Sequence, residues 1–168
     1  MCVLSTLLLT GLMPSDEEAS SITDGHTDAQ IDFQNGLQIQ ILDRPFTRLE
    51  AMSGELIYQG NCASCHGIDG EGQFPEAPLD PDNTGRIGAP PHNETGHTWH
   101  HTDTLLLRYV KEGGFANPER FYTMPAFGDI LSEEEIWLVI AYIKTMWTNE
   151  QRLMQRRSTE EEERLFSD

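Results

Sequence analysis

The sequence predicts a mainly α domain over residues 46–148 with a β-hairpin ahead of it, and three observations carry that prediction. Apolar residues recur at helical spacing in FTRLEAMSGELIYQGNC, in TDTLLLRYVKEGG and in EEEIWLVIAYIKTMW. No strand alternation is evident after residue 41. Residues 67–98 are dense in glycine and proline, with six Gly and five Pro, which excludes long regular elements there and predicts a long wrapping loop.

The elements follow in chain order. Residues 2–13, CVLSTLLLTGLM, form an apolar run of signal-peptide length with no Lys or Arg before it and no small-x-small site after it, so residues 1–14 read as a degenerate export signal or an anchor. Cys2 follows a lone Met rather than a lipobox, which weakens a lipidation reading. Residues 15–45 read as an acidic linker, polar from Ser15 to Asp28 and ending in AQIDFQNGLQIQI. A three-residue loop, Gln34-Asn35-Gly36, would pair Phe33 with Leu37 and Ile31 with Ile39 and put Gly36 at the left-handed bulge position.

Thr47 can cap a helix that leads into Cys62, with Leu49, Met52 and Leu56 spaced for one face. A second helix fits 103–112, capped by Thr102 or Asp103 and stopped by Gly113-Gly114. Ser132 and Glu135 make a capping box for the last core helix, whose stripe is Ile136, Val139, Ile140 and Ile143 with Trp137 and Tyr142 beside it. Residues 149–168 are a charged helical tail.

Composition narrows the function. A chain of 168 residues holds one ordinary domain with appendages, and 38% hydrophobic residues do not make a multi-span membrane protein. Eleven basic against 28 acidic side chains give a net charge of -17, and residues 46–148, with six against fifteen, are acidic in their own right. Such a charge repels phosphate backbones, so nucleic acid is excluded as a partner. Three cysteines are too few for a disulfide framework.

Chemistry concentrates in Cys62-Ala63-Ser64-Cys65-His66, where two thiols and an imidazole at i, i+3 and i+4 share one face of a helical turn. C-x-x-C-H is the attachment pattern of c-type haem: the sulfurs can form thioethers with the vinyl groups while the imidazole ligates iron. Other chemistries can be drawn on the same residues. A thioredoxin-like dithiol needs a βαβ setting that is not visible here. A zinc finger from Cys62, Cys65, His97 and His101 has an acceptable terminal spacing but an intervening stretch more than twice the usual length. Two buried thiols and a satisfied histidine in a plain core leave the glycine-rich wrap unexplained.

With these motifs in place the sequence resembles a class I c-type cytochrome. GELIYQGNCASCHG is similar to the family's first helix, TWHHTDTLLLRYV to its middle helix, MPAFG to its distal loop and EEIWLVIAYIKTMW to its closing helix, so the resemblance covers about residues 47–147. It implies a cytochrome c fold wrapped around one covalently bound haem c, with His66 and Met124 as the axial iron ligands and Cys62 and Cys65 as the attachment points. It further implies that Pro90, with Pro91 next in line, offers a carbonyl to the other ring nitrogen of His66, and that Trp99 donates to a haem propionate as in the mitochondrial protein. Gly54 and Tyr58 fall on the contact face of the first helix, opposite Val139 and Tyr142. A departure from the family is the stretch His92, His97, His100 and His101, which could bind a second metal, supply a distal ligand in place of Met124, or be a solvated loop.

The function implied is one-electron transfer between redox partners rather than enzymatic turnover, and an acidic domain favours a basic docking face on the partner. Alternatives are a haem-bearing subunit of a larger oxidoreductase and a ligand- or peroxide-reactive haem protein with a labile distal site. Haem attachment of this kind resembles that of exported cytochromes, which points to a periplasmic or otherwise extracytoplasmic location, either soluble or membrane-associated through the N-terminus.

Overall fold

The computed structural model describes residues 39–167. Its first elements are β1 (Ile39–Ile41) and β2 (Arg44–Phe46), an antiparallel pair with Ile39 opposite Phe46 and Ile41 opposite Arg44. Ile39, Ile41 and Phe46 are buried, as strand periodicity requires of residues on one face. The hairpin expected over residues 31–39 lies outside the described residues except for Ile39, whose partner here is Phe46. β2 is also a strand beyond residue 41, where the sequence shows no alternation. Three residues with an exposed Pro45 between them are too short to show a period, and a two-stranded sheet is all edge, where proline is tolerated.

Three short helices follow: α1 (Arg48–Ser53), α2 (Glu55–Asn61) and α3 (Ala63–His66). Thr47 caps α1 as expected, and Glu50 completes a capping box by accepting the Thr47 N–H at 2.8 Å. The single helix expected here is interrupted at Gly54, which sits directly beneath a later helix, α5 (Glu133–Thr145). A Cβ on Gly54 would lie 2.1 Å from the Leu138 carbonyl oxygen, so only glycine permits this approach. The same close contact decides which face turns inward. Ala51, Gly54, Tyr58 and Cys62 are buried, whereas Leu49 and Leu56 are 83% and 79% exposed. The expected face of Leu49, Met52 and Leu56 is thus corrected: small residues win the contact because they let the backbones meet, and only Met52 of the three packs against the core.

A 3-10 turn at Thr98–His100 precedes α4 (Asp103–Glu112), whose cap is Thr102, its hydroxyl accepting from the Leu105 N–H. α5 carries the expected Ser132/Glu135 box, and its stripe of Ile136, Val139, Ile140 and Ile143 is buried with Tyr58, Leu106, Val110, Phe127 and Trp147. α6 (Asn149–Phe166) opens on a further box from Thr148 and Gln151 and packs on the 3-10 turn and α4. No helix among the described residues is long and apolar enough to cross a membrane.

A buried polar cluster joins the hairpin and α6 to the core. Lys144 of α5 and Asp103 of α4, each 2% exposed, form an ion pair at 2.5 Å. The ammonium also donates to the Gln40 carbonyl and to Gln155 Oε1, which uses its three protons. Asp103 accepts from Gln155 Nε2 and, through its second oxygen, from the Leu42 N–H, while its own N–H goes to Thr159 Oγ1. Burial pulls the Lys144 ammonium below the usual lysine range and Asp103 opposes that pull.

Candidate functional site

The turn that holds the cysteines is built by helical backbone bonds, Cys62 N–H to Tyr58 O at 2.8 Å and His66 N–H to Cys62 O at 2.9 Å. These bonds put both thiols and the imidazole on neighbouring faces of one turn, Cys62 and His66 buried and Cys65 exposed. Burial, helped by the neighbouring Cys65, pushes the Cys62 thiol up to about 11, so it stays protonated at neutral pH. A dithiol oxidoreductase needs the opposite, a stabilised thiolate.

His66 donates Nδ1–H to the Pro90 carbonyl at 2.9 Å. That bond fixes the tautomer and leaves Nε2 without a proton, free to act as an acceptor or a ligand. Burial draws the His66 pKa below the ordinary value, against the opposing Pro90 bond, and keeps the ring neutral. Pro91 is engaged differently: its carbonyl accepts the Thr98 hydroxyl at 3.1 Å.

Cys62, Cys65, His66, Pro90 and Met124 all line one cavity of about 480 Å³. Its remaining wall is mostly apolar, with Leu106, Val110, Phe127, Val139, Ile140 and Ile143 behind and Leu79, Phe115 and Tyr122 at exposed positions. Among the described residues no Asp, Glu, Lys or Arg lines it, in a chain that is 23% charged.

The loop bearing Met124 is held against the C-terminal end of α4. Gly114 donates to the Met124 carbonyl at 3.0 Å, Phe127 to Val110 at 3.0 Å and Gly128 to Lys111 at 3.1 Å. Gly113 has φ +87°, and a Cβ there would stand 2.8 Å from the Met124 carbonyl oxygen. The Gly-Gly pair thus seats the Met124 loop as well as ending α4, a role that its position after a helix does not reveal. From the other side Ile87 bridges to Phe121, and the Tyr122 hydroxyl donates to Asp82 Oδ2 at 2.7 Å.

Trp99 does not line the cavity; its indole N–H closes the loop onto the Gly96 carbonyl at 2.9 Å, and its ring stacks on His100. His92, His97 and His101 do line it, while His100 is exposed and does not. Among the described residues no three His, Cys, Asp or Glu side chains are disposed to hold a metal ion. Neither the zinc set of Cys62, Cys65, His97 and His101 nor a second-metal cluster from the histidine-rich stretch is assembled. The sequence gives no sign of Thr98 and Trp147 as part of the site's support, and marks Tyr58 only as a helix-contact residue. Tyr58 bonds the Gly67 carbonyl at 2.9 Å and Trp147 the His92 carbonyl at 2.8 Å, and both partners are loop atoms that no spacing rule reaches.

Residues 51–147, more than half of the chain, match the family model for cytochrome c. The chain belongs to the cytochrome c family. No match was found among curated proteins or among solved structures. As a cytochrome c its cofactor is haem c, and the role that comes with the domain is haem-based electron transfer. The donor set fits that group: two thiols on one turn, an imidazole with Nε2 free, a thioether on the same cavity and an apolar lining for a flat macrocycle.

Proposed function

We propose that this cytochrome c carries one haem, held as thioethers by Cys62 and Cys65 and ligated by His66 and Met124, and that it passes single electrons between redox partners without substrate chemistry. The observation that carries the reading is the mostly apolar cavity shared by the C-x-x-C-H turn and Met124. Haem c, when bound, supplies an iron that gains and loses one electron, and a thioether ligand raises its reduction potential. The chain's own contribution is positional: Pro90 holds the proton on His66 Nδ1, the apolar wall excludes water, and Gly113 and Gly114 seat the loop that presents Met124. Exposed Cys65, Leu79, Phe115 and Tyr122 around the cavity leave an edge for electron exchange. An acidic domain suits a basic partner face. The thiol pair resembles the attachment site of exported cytochromes, which supports a place outside the cytoplasmic membrane.

A second reading, a haem-bearing subunit of a larger oxidoreductase, is favoured by one observation: the hairpin and α6 lie outside residues 51–147 yet are tied into the core, and α6 keeps Leu153, Met154, Leu165 and Phe166 exposed. Carbon monoxide tests the closed iron. The reduced holoprotein should not bind it without denaturant, and Met124→Ala should. Immediate binding by the unaltered protein would contradict dual ligation and promote the labile-site alternative.

A further inference from the structure

Beside the proximal histidine stands a second one that no ligation role absorbs. The His92 ring lies 3.8 Å from the His66 ring, centroid to centroid, and 17° from parallel. It is fixed in place with unusual completeness. The His92 N–H donates to the Gly70 carbonyl at 2.7 Å and its carbonyl accepts from Trp147 Nε1 at 2.8 Å. Its Nδ1 is 2.9 Å from Thr98 Oγ1. Because the Thr98 hydroxyl proton goes to the Pro91 carbonyl, Thr98 can only accept from His92, which puts the His92 proton on Nδ1. Tyr58 packs against the ring at 6.2 Å in an edge arrangement.

His66 has one polar anchor, the Pro90 carbonyl, and a single hydrogen bond leaves a ring free to rock about it. A flat neighbour stacked on the face removes that freedom, whereas an aliphatic side chain of similar size would fill the space without imposing a plane. We propose that His92 is a positioning residue for the proximal ligand: anchored by Thr98 and stacked on His66, it sets the plane in which the His66 imidazole meets the iron. The inference rests on the haem reading above.

The test uses the ferric holoprotein and reads the hyperfine-shifted haem methyl resonances and the low-temperature g values, which report the orientation of the ligand plane, together with the reduction potential. His92→Leu should reorder the methyl shifts and move the potential while the haem stays attached and low-spin. His92→Phe, which restores a flat ring, should return the pattern most of the way, and Thr98→Val should fall between. An unchanged pattern in His92→Leu, or the same change in His92→Leu and His92→Phe, overturns the role. If His92→Leu does not take up haem, Thr98→Val decides, and unaltered methyl shifts there overturn it. An unaltered chain that takes up no haem overturns the haem reading and this inference together.

Discussion

Met124 and His66 reach the same cavity by different means, the one on a loop seated by glycines and the other on a helical turn bonded to Pro90. Their removal should therefore separate. Met124→Ala should keep covalent haem, open the iron and lower the potential, seen as a changed ferric spectrum; an unchanged spectrum would move the distal ligand to His97 or His101, which line the same cavity. Gly113→Ala should act on Met124 without touching it. Its backbone lies in a region that only glycine occupies readily, at a cost of about 1–3 kcal/mol for another residue, and the added methyl meets the Met124 carbonyl. The expected result is weakened methionine ligation with haem still attached, checked by the far-red band of the ferric protein. The cysteines and His66 are legible in the sequence because they are contiguous and a helical turn suffices to assemble them. Thr98, the stacking of His92 on His66 and the seating role of Gly113 are not, since each arises only where segments distant in sequence meet.

At the scale of elements, caps read well and faces less so. The boxes at Thr47, Ser132 and Thr148 are local hydrogen-bond patterns, of which Thr47 and Ser132 were visible as sequence signals. Apolar spacing misplaces the inward face of α1 and α2, pointing to Leu49 and Leu56, whereas the resemblance that puts Gly54 and Tyr58 on the contact face agrees with the buried Ala51, Gly54 and Tyr58 under α5. The Lys144–Asp103 pair holds elements together across β1, α4, α5 and α6. Lys144→Met, which strands Asp103, should cost about 3–5 kcal/mol in denaturant unfolding, and replacing both by apolar residues much less. A second tie is pH-sensitive. The Thr84 and Tyr122 hydroxyls hold the Asp82 carboxyl down to about 2. A carboxyl depressed by folding contributes stability above its ordinary pKa of 3.8 and loses it as pH falls through about 2. Acid titration of the ferric protein should therefore loosen the Met124 loop over that window. Asp82→Asn should lack this step, and an identical titration would remove Asp82 from the account.

The whole molecule is an acidic chain with a mostly apolar cavity, and among the described residues the hairpin and α6, on either side of the matched region, are tied into the core. Its charge of -17 should steer it toward a basic partner, so electron exchange with such a partner should slow as salt rises. A rate independent of ionic strength would remove charge from the docking step. The most direct test of the central claim is the optical spectrum of the protein, oxidised and reduced, after expression with a haem-attachment system. The account predicts a low-spin haem that survives denaturation on the chain and, in the ferric state, the weak far-red band of methionine-to-iron ligation, lost in Met124→Ala. Haem without that band would contradict Met124 as ligand, and no haem at all would contradict the site.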